Sequence, residues 1–248
     1  MSKRKRWIGA IIGVFVIIGV GATAYALTFP AAAVCVAIGA YGFEAVSDRI
    51  FVPPNSSPVQ KAGYEALIRE ARERIKDTFG EPRADPIIVF FDDPRSFSPL
   101  FLNEFGQTPR IGERTCVIIG PRGQDVDVVS HELMHTEIHH RVGAWGMFRE
   151  IPTWFDEGVA MQVDYRNRYL LEPQDTRNPN DVRALTSFSS FFVADDEART
   201  RNYASAKKVI ALWLAEVGPT ALYPRLQRLK NGESFSDIFP EQEPLPAQ

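Results

Sequence analysis

The sequence predicts an α+β domain with a small sheet and a mostly helical C-terminal half, preceded by an N-terminal transmembrane helix. Three observations carry this expectation. Residues 7–43 contain no charged side chain. Two short apolar runs of strand character, "PIIVFF" (86–91) and "TCVIIG" (115–120), fall in the first half of the chain. Beyond residue 125, apolar residues recur at three- to four-residue spacing, the signature of helices that bury one face.

Residues 7–27 are 21 residues long, about what a helix needs to cross the hydrocarbon core. The cluster Lys3, Arg4, Lys5 and Arg6 ahead of them should stay cytoplasmic and send the rest of the chain outward. A single uncleaved anchor is the expected arrangement. A signal peptide cleaved after Ala24-Tyr25-Ala26 is one alternative. A two-helix hairpin turning at Thr28-Phe29-Pro30 is another, although its second limb, 31–43, is short for a span. "VPPNSSP" reads as a linker that ends with Ser57 as an N-cap and Pro58 at the first helical position. Tyr64, Leu67, Ile68, Ala71, Ile75 and Phe79 then mark one amphipathic helix, stopped by Gly80. Between the two strand-like runs, 94–113 reads as a loop or hairpin. Asp125 caps a helix over about 126–141, Gly143 and Gly146 make a turn, and Pro152 opens a helix through about Val163. Residues 164–184 are a polar excursion. Ala206, Val209, Ile210, Trp213, Leu214 and Val217 form a helical face broken at Gly218-Pro219, and Leu222, Leu226 and Leu229 mark one more helix.

At 45% hydrophobic and 24% charged residues, the chain can build a sizeable core. The formal charge is −3, yet the N-terminal cluster contributes +4, so the part from Glu44 onward carries −7. An acidic surface excludes nucleic acid as a ready partner, since phosphates select basic faces. Cys35 and Cys116 are too few for a disulfide framework or a Cys-based zinc site, and read most simply as apolar fillers.

Every histidine lies in "SHELMHTEIHH": His131, His135, His139 and His140. His131 and His135 are four apart, so a helix projects them from one face, with Glu132 between them. Two imidazoles so placed can hold one zinc ion while the neighbouring carboxylate serves as general base toward a zinc-bound water. A catalytic zinc needs a third protein ligand. His139 is one turn further along, and three positions in line on a straight helix cannot surround an ion. Ile138 and Arg141 stand where a Gly turn and a third His would be needed. A ligand from a second helix is therefore expected, and "IPTWFDEGVAM" (151–161) offers Glu157, with 21 residues between it and His135. His139 and His140 read as surface residues, Trp154 as core packing, and Gly158 as a site of close helix approach. Asp156 is open between a role behind a ligand histidine and a solvent-facing one.

His131-Glu132-Leu133-Met134-His135 with the later Trp154-Phe155-Asp156-Glu157-Gly158-Val159-Ala160 resembles the gluzincin metallopeptidases, the H-E-x-x-H…E branch of the peptidase MA clan. "LTSFSSFF" and "YASAKKVIALWLAEVG" look like the small membrane-associated members. The resemblance covers about 85–232 and departs from the peptide-trimming aminopeptidases in lacking their G-x-M-E-N type sequence. It implies a zincin-like metallopeptidase domain over 58–240, after an anchor or signal region (1–43) and a linker (44–57), with 241–248 as a tail. It further implies one zinc ion held by His131, His135 and Glu157, and Glu132 as general base. Tyr203 is the candidate donor to the developing oxyanion. The run 115–119 is expected as an edge strand that aligns a protein or peptide substrate. The expected function is zinc-dependent hydrolysis of peptide bonds by an endopeptidase. Its membrane contact is residues 7–27 and its catalytic domain is extracytoplasmic, facing the periplasm of a bacterial cell. The alternatives are an envelope binding or assembly protein with little or no hydrolysis, and a zinc hydrolase acting on a non-peptide bond.

Overall fold

A computed structural model of the chain describes residues 30–93, 95, 103–172 and 175–239. The expected membrane span at 7–27 and the tail at 241–248 lie outside them. No helix among the described residues is long and apolar enough to cross a membrane. The fold is mixed α+β, about 60% helical with a small sheet.

Helix α1 (Pro30–Val36) and a 3₁₀ turn (Ile38–Tyr41) precede strands β1 (Glu44–Ala45) and β2 (Ile50–Val52). Helix α2 (Pro58–Phe79) begins with a capping box: the Ser57 side chain accepts from Gln60 N–H, and the Gln60 side chain reaches back to the Ser57 N–H. Strands β3 (Ile87–Phe90), β4 (Gly106–Gln107), β5 (Arg110–Ile111) and β6 (Arg114–Ile119) complete the sheet. The order is β1-β2-β3-β6-β4, with β5 folded onto β6. The central neighbours β2, β3 and β6 are parallel, whereas β1 and β4 run antiparallel at the two ends. The C-terminal half holds α3 (Val126–Arg149, kinked at Gly143), α4 (Thr153–Ala160), α5 (Pro179–Arg183), α6 (Phe188–Phe191), α7 (Asp196–Val217), α8 (Leu222–Lys230) and α9 (Phe235–Ile238).

Strand alternation sorts the core into two layers. Ile88, Phe90, Val117 and Ile119 face the helical side, where they join Phe79, Val129, Leu133, Met134 and Ile138. Val89, Phe91, Cys116 and Ile118 face the other side, where α1 covers them with Ala31, Val34 and Cys35. Helix α3 is thus enclosed by the sheet, α2, α4 and α8. That position explains why a stretch so rich in histidine and glutamate is buried.

Several expectations are corrected. Residues 44–57, expected as a linker, supply two strands, because the β-branched and aromatic run Ile50-Phe51-Val52 pairs alongside β3. Residues 31–43, the second limb of the alternative hairpin, hold most of the seven-residue helix α1 and a 3₁₀ turn that pack on the sheet. Cys35 and Cys116 are not fillers but a disulfide. Strand β6 is not an edge: β3 and β4 flank it, and β4, which falls in the run 94–113 expected as a loop or hairpin, is the end strand. His139 is buried rather than surface-exposed, because the β5–β6 turn covers it and its Nε2 lies 3.0 Å from the Gly112 carbonyl oxygen. His140 is exposed as expected. Gly158 is a close approach, as expected: a Cβ there would sit 2.7 Å from Ile210 Cγ1 and 2.8 Å from the Ala206 carbonyl oxygen of α7.

Candidate metal centre

Asp125 caps α3 by accepting the Val128 N–H at 2.9 Å, which sets the register that carries His131 and His135 inward. Helix α4 crosses beside them and delivers Glu157 from a turn in which Trp154 through Ala160 are all buried. His131 Nε2 lies 3.2 Å from His135 Nε2, and Glu157 Oε2 lies 3.3 Å from the first and 3.6 Å from the second. All three residues are buried, and they form a group able to hold a metal ion.

The spacing fits a metal. A tetrahedral ion with bonds of about 2.1 Å holds its ligand atoms about 3.4 Å apart, and the three observed separations bracket that value. The donor chemistry fits as well. His135 Nδ1 is 3.0 Å from Asp156 Oδ1, and His131 Nδ1 is 3.6 Å from Asp164 Oδ2. A ring that turns its Nδ1 proton toward a carboxylate presents a lone pair at Nε2. Two such lone pairs and a carboxylate oxygen at one buried point are a donor set that could hold a cation.

Each of these outer carboxylates is itself clamped by an arginine. Asp156 Oδ2 accepts from Arg110 Nη2 at 2.5 Å, so strand β5 reaches the site through α4. Asp164 accepts from Arg166 Nε at 3.0 and 3.1 Å and from Nη2 at 2.5 Å. Burial alone would lower the His135 imidazolium, yet Asp156 and Glu157 outweigh it and raise it well above its ordinary value. Burial would likewise raise the two carboxyls, but Arg110 and His135 hold Asp156 far below the usual range, and the two histidines bring Glu157 down to about 2. Asp164 is lowered against its burial by Arg166 and His131. The site is therefore built to keep carboxylates ionised out of water.

Asp156 thus sits behind His135 and is buried rather than facing solvent. We expect Asp156→Ala to lower metal affinity about 10- to 100-fold, measured by competition with a chromophoric chelator. Unchanged affinity would reduce the residue to a packing role.

Glu132 is buried on the same helix. Tyr203 stands at the edge of the cluster, its ring centroid 6.1 Å from that of His131, among Tyr169 at 5.3 Å and Phe191 at 5.2 Å. Burial and then the negative charge of Glu157 push its phenol well above the ordinary value. Tyr165 is exposed and stacks under Arg74. No sequence signal singles out Asp164 or Arg110. The first lies in the polar excursion, whose composition indicates only a surface loop.

No family model matches the chain, and no curated protein matches it.

Proposed function

We propose that the chain is a zinc-dependent peptidase tethered to a membrane, with its catalytic domain outside the cytoplasm. The observation that carries this reading is the convergence of His131, His135 and Glu157 on one buried point, with the Glu132 carboxylate on the adjoining position of the helix. Two imidazoles and a carboxylate are a donor set that suits zinc. An ion bound there supplies Lewis acidity that stabilises charge developing on the substrate carbonyl oxygen. Glu132 takes the proton of the attacking water and hands it to the leaving amine. The Tyr203 hydroxyl donates to the developing oxyanion, and β4, at the end of the sheet, offers main-chain groups to an extended substrate.

Two features support the compartment. The charge-free run 7–27 behind a basic cluster favours outward placement of the domain C-terminal to it. The Cys35–Cys116 disulfide suits an oxidising environment.

The test is direct. The purified protein should contain about one zinc per chain and hydrolyse an unfolded protein substrate in a manner that chelation removes and added zinc restores. Zinc without hydrolysis would favour a binding or assembly protein instead. Tyr203→Phe should lower kcat by about 10²-fold while KM and zinc content hold. A silent Phe variant would transfer the donor role to Tyr169, whose ring is its neighbour.

A further inference from the structure

We propose that Thr108 is the positioning residue that aims the Glu132 carboxylate. The inference rests on the peptidase reading above and assigns a role to a residue outside both motifs. Thr108 Oγ1 lies 2.6 Å from Glu132 Oε2 and 3.1 Å from the main-chain oxygen of the same residue. A threonine hydroxyl has one proton to donate, and an ionised carboxylate can only accept. The shorter contact has the length of a charge-assisted O–H···O⁻ bond. The hydroxyl therefore donates to the carboxylate and occupies Oε2.

The other oxygen lies close to the strand backbone. A Cβ on Gly106 would stand 2.7 Å from Glu132 Cγ and 2.8 Å from Oε1, so the side chain lies directly against strand β4 where only a glycine leaves room. Gly106 and Gln107 pair with Ile119 and Ile118 of β6, which ties this cradle to the buried sheet. A glutamate has three side-chain torsions, and its terminal one is broad. Thr108 on one oxygen and Gly106 against the other face remove that freedom. A base that must take a proton and return it gains from a fixed aim.

Two residues further on, Arg110 holds Asp156 behind His135. One short run of chain, 106–110, thus reaches both the base and a metal-ligand histidine. The two contacts have different signatures. Arg110 acts on the metal ligand, whereas Thr108 acts on the base alone and should leave the metal untouched.

The experiment compares Thr108→Val, which keeps the shape and removes the hydroxyl, with Thr108→Ser, which keeps the hydroxyl, and with Thr108→Ala should the Val chain misfold. The full-length protein is assayed for zinc content, melting temperature, kcat and KM. Its cobalt-substituted form is titrated with acetohydroxamate, whose hydroxyl is expected to hydrogen-bond to the Glu132 carboxylate, so that the affinity read from the visible spectrum reports the aim of that group without turnover. Val and Ala should lose about 10- to 100-fold in kcat and about 10-fold in acetohydroxamate affinity, with KM and zinc content unchanged. Ser should stay within about threefold of the parent. Parental kcat and hydroxamate affinity in the Val chain, beside a Glu132→Gln variant that is inactive, would overturn this inference and leave the peptidase reading intact. A parent that binds no metal and hydrolyses nothing would overturn the reading and this inference with it.

Discussion

Glu132→Gln is expected to lose hydrolysis by about 10²- to 10⁴-fold in kcat while the protein keeps its metal. The three converging atoms that could hold a metal come from His131, His135 and Glu157, and Glu132 is not among them. Its Oε2 is engaged by Thr108 instead. Glutamine has nearly the same size and can still accept the Thr108 hydroxyl, so the cradle against Gly106 stays filled and stability should hold within about 0.5 kcal/mol, as for substitutions that create no cavity or orphaned charge. An amide, however, cannot take the proton of water. Zinc content by elemental analysis and kcat on the same preparation separate the two roles. Loss of zinc in this variant would mean that the carboxylate is a ligand, and the roles of Glu132 and Glu157 would have to be reassigned.

The site is legible in the sequence where chemistry and spacing coincide, and illegible where the chain is merely polar. The i, i+4 pair His131 and His135 needs only helical periodicity to be placed, and Glu157 stands out because it comes after a tryptophan and before Gly158 in an apolar helix. Asp164 lies seven residues later among charged neighbours. Nothing local distinguishes it from a surface aspartate, although it is fully buried. Thr108 and Arg110 fall in a stretch of turns whose two-residue strands are too short to show alternation. The same limit applies to β1 and β2: the prolines and serines of "VPPNSSP" outweigh a three-residue strand whose partner lies far along the chain. His139 reads as a surface residue because no helical pattern reveals that the β5–β6 turn folds back over it. The disulfide does leave a signal. In a chain expected outside the cytoplasm, two cysteines and no more are themselves a candidate pair.

That pair carries the second large effect. Replacing both Cys35 and Cys116 with alanine should destabilise the domain by about 4 kcal/mol, since the bond closes a separation of 81 residues and chain-entropy arguments give about 4.5 kcal/mol for such a loop. Alanine is the right replacement because both positions are buried in the apolar layer under α1, where a serine hydroxyl would be left without a partner. For a domain of this size the loss corresponds to a fall of about 8–16 °C in melting temperature. Reducing the parent with dithiothreitol should reproduce most of it. The metal centre should be spared at low temperature, because α1 packs on the face of the sheet opposite α3, which carries His131 and His135. Zinc content and kcat at 25 °C are therefore expected to match the parent, with the variant failing only on heating. The result also bears on the compartment. If the cysteines of protein taken from cells are accessible to an alkylating reagent after denaturation without reduction, the bond does not form in vivo. The outward placement of the domain would then lose its structural support. A double variant that melts with the parent would show instead that α1 is held by its apolar contacts with Val89, Phe91 and Ile118 alone.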